Sequence, residues 1–251
     1  MTGQLLMVVG KPATGKTFSL QGIEAPEKTL YLNCEGSGKP MPVKNKNQFK
    51  QKIITEPYPE LLGESSYFNQ IINNKGKIDT VVIDTLTFLM DMVETKYVKT
   101  ADAKHTMQAW GNYGDFFRNL MSQFAKTLAA DINIIVMSHV ADRVNETDMV
   151  LDSYIPVKGA VGKTGVEAYF SDIVATKKVK ISELEPYQNS LLHITEKEQK
   201  TGIKHVIQTQ ITKDTVGERI RGNPDMWDES ETYIDGNIQY VLNRMKEFYG
   251  D

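Results

Sequence analysis

Between Leu5 and Leu20 the chain reads LLMVVGKPATGKTFSL, and no other stretch restricts the fold so tightly. The apolar run from Leu5 to Val9 suits a strand buried on both faces and is too short for a core helix. It delivers Gly10-Lys11-Pro12-Ala13-Thr14-Gly15-Lys16-Thr17, which satisfies G-x-x-x-x-G-K-[ST]. Phe18 then opens a helix-compatible segment. Gly10 and Gly15 let the backbone curl until successive N–H groups face one anion, and a helix start behind them adds partial positive charge. In that pattern the Lys16 ammonium bridges the β- and γ-phosphates of a nucleotide, and the Thr17 hydroxyl holds Mg²⁺. Gly10 to Phe18 is therefore a candidate nucleoside-triphosphate loop, and it demands a strand aimed at the phosphates.

Bulk properties narrow the field by exclusion. The 251 residues carry 29 Lys+Arg against 32 Asp+Glu, a net charge of −3, so nucleic-acid contact has to come from local loops and not from overall charge. A single cysteine, Cys34, excludes an intramolecular disulfide and a cysteine-rich zinc site. No stretch approaches a membrane span, and residues 1–9 lack the basic start and cleavage site of a signal peptide. The expectation is one cytoplasmic domain over 1–251, with no domain ahead of the phosphate loop.

Two further strands end in acids. Thr29 to Asn33 leads into Cys34-Glu35-Gly36, and a carboxylate at the carboxyl end of such a strand lies where open α/β sheets bind ligands. Glu35 could polarise a water attacking the γ-phosphate; an ordinary strand-end or capping carboxylate is the plainer reading. Asp79-Thr80-Val81-Val82-Ile83-Asp84-Thr85 delivers Asp84 to the same edge, where it would accept from metal-bound water or Thr17 and complete the Mg²⁺ shell. The next residue is Thr85 and not Glu, which moves the base role toward Glu35. Between these strands a polar loop with a short strand near Gln51 to Ile54 precedes an amphipathic helix over Pro59 to Asn73.

A long helix is expected from about Gln108 to Ala130. Its Trp110, Tyr113 and Phe117 are either stacking platforms for bases or anchors to the sheet, and the anchor reading is preferred. The buried strand Ile132 to Met137 ends at Ser138-His139, where His139 either senses the phosphate or is a neutral imidazole satisfied locally.

In this order the phosphate loop, the strand ending NCEG at 33–36, VVIDT at 81–85, WGNYG at 110–114 and IIVMSH at 134–139 resemble a RecA-like ATPase core. The resemblance is to the short phage ATPases that act as single-strand annealing recombinases. It implies an α/β P-loop NTPase core, a mostly parallel twisted sheet with helices on both faces and an antiparallel C-terminal extension. It implies ATP and Mg²⁺ as ligands, with Lys16 and Thr17 on phosphate and metal, Glu35 as base, Asp84 supporting the metal and His139 in the sensor position, where RecA itself has glutamine. It further implies single-stranded DNA as partner, a homo-oligomeric ring or filament, and an associated single-strand-binding protein.

The remainder is read in that frame. Val140 to Gly165 reads as a polar loop, and Lys158 and Lys163 in it are candidate DNA contacts, against the alternative of a surface loop without a ligand. The run Lys158 to Gly165 mimics a phosphate loop, but Val157 stands where its first glycine belongs, so a second site is rejected. Asp172 to Thr176 is a strand, and Leu191 to Ile194 with Val206 to Ile211 read as an antiparallel pair turning near Lys200 to Gly202. Lys213, Arg219 and Arg221 are candidates for a finger reaching a neighbouring subunit's nucleotide, against a plain solvated hairpin. An amphipathic helix from Asn237 to Tyr249 closes the chain. The expected activity is DNA-dependent ATP hydrolysis driving annealing or strand exchange; a ring translocase of the helicase type and a nucleotide-gated adaptor are the alternatives.

Overall fold

The computed structural model describes residues 3–36, 39–145, 150–158 and 165–250. Its organising feature is an eight-stranded sheet whose middle is built from the apolar runs. These are β1 (Leu5–Gly10), β2 (Thr29–Asn33), β4 (Thr80–Asp84) and β5 (Asn133–His139), nearly every residue of which is buried. A strand covered on both faces needs no polar alternation, and these four carry almost none. With β3 (Lys50–Ile53), β8 (Asp172–Lys180), β9 (Ile203–Gln208) and β10 (Tyr233–Asp235) the strand order is β10-β9-β8-β1-β5-β4-β2-β3. From β3 to β8 the neighbours run parallel, and β9 and β10 pair antiparallel. This is the α/β P-loop fold, with its antiparallel extension, that the motifs demanded. The register aligns Gly10 with His139 and Asn33 with Asp84, so every strand end of interest opens on one edge.

Alternate residues of each strand face opposite layers. Met7, Val9, Leu32, Val81, Ile83, Ile134 and Val136 pack one way, under helices α3 (Leu86–Val93) and α4 (Thr106–Leu128). Leu6, Val8, Tyr31, Val82, Ile135 and Met137 pack the other way, against Leu20 and helix α7 (Ile238–Tyr249). Tyr113 and Phe117 of α4 are buried in the first layer and Trp110 packs against it, so the anchor reading of these aromatics holds. Among the described residues no helix is long and apolar enough to cross a membrane.

Several local expectations are corrected. The helix behind the phosphate loop is a short 3-10 stretch, Thr17–Gly22. It ends at a glycine whose hypothetical Cβ would lie 2.1 Å from Oδ1 of Asn237, the residue that caps α7. The single helix over 59–73 is two, α1 (Pro57–Leu61) and α2 (Tyr67–Asn73). Gly63 lies between them, where a Cβ would come within 2.7 Å of the Pro59 carbonyl oxygen, and Ser66 caps the second. The supposed polar loop after β5 contains an antiparallel hairpin, β6 (Ala141–Asn145) and β7 (Val150–Tyr154). After β8 and the short helix α5 (Ile181–Leu184), no strand forms over 191–194. The expected turn near Lys200 is instead the end of helix α6 (Glu196–Thr201), which is started by a Thr195/Glu198 capping box and stopped by Gly202 at φ 71°. The partner of β9 is β8 and not a strand before α6.

Candidate active site

The phosphate loop leaves β1 under tight constraint. A Cβ at Gly10 would come within 2.4 Å of the Thr176 hydroxyl and 2.6 Å of the Thr14 hydroxyl, so only glycine fits. Thr14 Oγ1 bonds to Thr176 Oγ1 at 2.7 Å and donates to the Lys11 carbonyl at 2.8 Å, tying the loop to β8. Gly15 has φ 104°, a conformation that disfavours any side chain. Lys16 is thereby folded back over the loop. Its ammonium donates to the carbonyls of Gly10 (2.8 Å) and Lys11 (3.0 Å) and lies 3.1 Å from His139 Nδ1. Burial lowers its pKa to about 8, against the opposing pull of the Asp84 and Glu35 carboxylates. A buried ammonium with only neutral groups in hydrogen-bond contact is poised for an anion.

Beside it, the Thr17 hydroxyl donates to Asp84 Oδ2 at 2.6 Å and the Tyr31 hydroxyl donates to the same oxygen at 2.7 Å. Asp84 Oδ1 is buried with no hydrogen-bond partner. Burial raises the Asp84 pKa, the two hydroxyls opposing it, and raises those of Tyr31 and Cys34 as well. A hydroxyl, a carboxylate with one unused oxygen and an adjoining phosphate cradle fit Mg²⁺, which prefers one or two carboxylate contacts and keeps its remaining positions for water and phosphate.

Glu35 sits at the end of β2 with its side chain only 7% exposed. Its N–H donates to Asn33 Oδ1 at 2.8 Å, one oxygen pairs with the Lys39 ammonium, and the other is 3.8 Å from His139 Nε2. His139 is held by its own N–H, which donates to the Thr87 hydroxyl at 3.0 Å. Its pKa is lowered by burial and then by Lys16, so the imidazole is neutral near pH 7. With Nδ1 accepting from Lys16, the ring proton belongs on Nε2, facing Glu35.

Lys16, Thr17, Glu35, Asp84 and His139 thus line one cleft of about 390 Å³, together with Ala13, Gly15 and the half-exposed Phe18. Lys39, Pro42 and His205 complete its lining and were not expected. His205 arrives from β9, whose place beside the loop depends on sheet topology. Lys39 lies four residues past Glu35, a spacing visible in the sequence but without meaning until the turn at Gly36 is known. Gly10, Lys11, Pro12 and Thr14 face a second recess between the loop and β8. Lys11 is exposed and turned toward the hairpin, where it pairs with Asp142 of β6.

The peripheral candidates are placed elsewhere. Lys158 pairs with the buried Glu94, and Lys163 lies outside the described residues. Lys213 is exposed. Arg219 Nε lies 3.7 Å from Glu167 Oε1, and Arg221 donates to the Phe170 carbonyl at 3.3 Å. None of these three cations lines the cleft of its own chain.

No curated protein matches this sequence. Solved structures similar to it include the RadB recombinase, at 16% identity and TM-score 0.40 over 85% of this chain and 90% of that one. Another is a KaiC-like protein from Pyrococcus horikoshii OT3, at 12% identity and TM-score 0.41 over 86% of this chain and 82% of that one. The family model described as an AAA domain matches residues 2–223. The match spans the phosphate loop and every strand end that frames the cleft, and the chain accordingly belongs to the AAA-domain family, as a P-loop ATPase.

Proposed function

We propose that the cleft binds and hydrolyses ATP with Mg²⁺, and that turnover drives annealing or strand exchange of single-stranded DNA by an oligomer of this chain, in phage recombination. The observation that carries the reading is Lys16, a buried ammonium with no carboxylate in contact among the described residues, next to an Asp84–Thr17 pair with one acceptor left unused there. Loop amides and Lys16 bind the β- and γ-phosphates, and Thr17 and Asp84 hold the metal. Mg²⁺, when bound, neutralises charge on the β- and γ-oxygens. Glu35 orients a water against the γ-phosphorus and takes its proton, and His139, neutral and fixed between Lys16 and Glu35, reports whether the terminal phosphate is present.

The DNA half of the reading is supported by the hairpin that follows β5. It presents an exposed Arg143, and Asp142 beside it pairs with Lys11 of the phosphate loop, so a change in the loop is felt in the hairpin. Lys163 remains a candidate DNA contact, whereas Lys158 is engaged by Glu94. Of the three candidate fingers Lys213 is the most available for a neighbouring subunit, since Arg221 donates to a carbonyl of its own chain and Arg219 faces Glu167.

Hydrolysis measured with and without single-stranded DNA tests the proposal, with Glu35→Gln alongside. DNA should raise turnover, added salt should weaken DNA binding steeply, and Glu35→Gln should lower turnover roughly 10²–10⁴-fold while sparing nucleotide binding. A rate that ignores DNA removes the recombination reading and leaves the ATPase. Cellular function that survives Glu35→Gln would favour an adaptor, and directional unwinding of a forked duplex would favour a translocase.

A further inference from the structure

Lys39 is the one residue whose contacts exceed what the assigned site requires. Among the described residues it is, apart from Lys16, the only ammonium lining the cleft, and it pairs directly with the carboxylate assigned to activate water. The pair is built by the backbone. Asn33, the last residue of β2, accepts from the Glu35 N–H and donates to the carbonyls of Gly36 (3.1 Å) and Lys39 (3.4 Å). Gly36 takes φ 94°, a left-handed conformation that favours glycine, and the Lys39 side chain lies against that of Glu35. One amide therefore bonds to the backbone of both the acid and the cation.

The two partners are unequal. The Glu35 side chain is 7% exposed and sits between His139 and Lys39, whereas the Lys39 side chain is 63% exposed on a flexible four-carbon stem. A terminal phosphate bound at Lys16 and Thr17 would bring several negative charges into the same cleft, against the single charge of a carboxylate. Attraction at a given distance scales with that charge, so the phosphate outcompetes Glu35 for a mobile ammonium.

We propose that Lys39 is a second cationic ligand of the terminal phosphate, stored on Glu35 in the nucleotide-free protein and transferred to the phosphate when ATP binds. The transfer does two things at once. It places positive charge beside the γ-phosphoryl oxygens, over which negative charge is spread as the bond to the β-phosphate oxygen breaks. It also frees a Glu35 oxygen to accept the proton of the water whose oxygen forms the new bond to phosphorus, with ADP leaving. This inference deepens the hydrolytic reading above and rests on it. An ordinary surface ion pair would contribute little in either respect.

The experiment compares ATP and ADP binding and single-turnover hydrolysis in wild type, Lys39→Ala, Lys39→Arg and Glu35→Gln. Because Lys39 is exposed, its removal should leave the fold intact, which circular dichroism verifies. Lys39→Ala should cost about tenfold in ATP affinity, leave ADP affinity unchanged, and slow hydrolysis roughly 10²-fold. Lys39→Arg should recover the preference for ATP over ADP. An unchanged ratio of ATP to ADP affinity overturns the proposal, as does an equal loss for both nucleotides, which would make the pair a loop brace. A faster Lys39→Ala enzyme also overturns it, since the lysine would then only restrain Glu35. Wild type that hydrolyses no faster than Glu35→Gln would instead indict the assignment of the base, and the two affinities would still report on Lys39.

Discussion

Among the described residues two lysines are buried, both toward the carboxyl edge of the sheet, and their surroundings differ in one respect. Lys16, at the mouth of the parallel half, contacts two carbonyls and an imidazole nitrogen. Lys204, on β9 in the antiparallel extension, contacts the His193 carbonyl at 2.8 Å and two carboxylates, Glu198 at 3.0 Å and Asp235 at 2.9 Å. Lys204 is neutralised by its own chain and serves the fold. Lys16 is left charged without a counter-charge in contact, a standing cost that makes sense if the counter-charge is a ligand. Burial alone does not separate a structural cation from a functional one; the sign of what it touches does.

The sharpest way to break this contrast is to delete each charge in turn. Lys16→Met should reduce triphosphate affinity by about 10³-fold or more, while leaving the nucleotide-free fold as stable or firmer by on the order of 1 kcal/mol, because an uncompensated buried charge has gone. Lys204→Met should do the reverse, costing about 1–3 kcal/mol by leaving the partly exposed Glu198 and Asp235 without their ammonium and leaving nucleotide affinity of the folded protein unchanged. Urea unfolding and nucleotide titration of both variants decide it. Equal destabilisation by the two substitutions would mean that Lys16 is a structural residue.

A smaller effect follows from pH. With its pKa lowered to about 8, Lys16 in the free protein is charged below that value and loses its proton above it, whereas a bound triphosphate would hold the proton on. Triphosphate affinity should therefore be level below pH 8 as far as this group is concerned and fall above it, by up to about tenfold per pH unit. Stability of the nucleotide-free protein runs the other way. The unfolded lysine, with its ordinary value of 10.5, binds the proton more readily, so the cost of the buried charge is full below about 8 and is relieved as pH rises toward 10.5. Titrations across this range, repeated on Lys16→Met, should show both trends vanish together.

The same contrast explains which parts could be read without a structure. β1, β4 and β5 are apolar on both faces, so no choice of register or face arises and their polar ends, Gly10, Asp84 and His139, fall on one edge automatically. The phosphate loop is local in sequence, and its contacts within residues 10–17 follow from spacing. The extension was misread because its elements are short or polar. β10 has three residues, the β6–β7 hairpin carries no apolar alternation, and α6, the six residues EKEQKT, buries none of its side chains. His205, which reaches the cleft by topology, and Tyr31, which braces Asp84 from behind, carry no local signal. Lys39 carried one that only the left-handed turn at Gly36 makes meaningful.

The least effect sharpens the contrast within the extension itself. Thr195 caps α6 through reciprocal bonds with Glu198, its hydroxyl accepting from the Glu198 N–H at 3.3 Å and its own N–H donating to Glu198 Oε2 at 2.8 Å. Burial of Glu198 tends to raise its pKa, but these bonds and the Lys204 ammonium prevail and hold it below the ordinary 4.5. Its contribution to stability is thus present above about 4.5 and lost as pH falls through the lower folded value. Thr195→Ala should cost about 1 kcal/mol near neutrality and leave a shallower loss of stability in acid, because part of what holds the Glu198 pKa down has been removed. Since nothing in α6 lines the cleft, ATP affinity and turnover should not change. A loss of nucleotide binding in this variant would show that the neutralised lysine network of the extension also sets the position of His205 on β9 against the phosphate loop, and the two lysine sites would have to be treated as one unit.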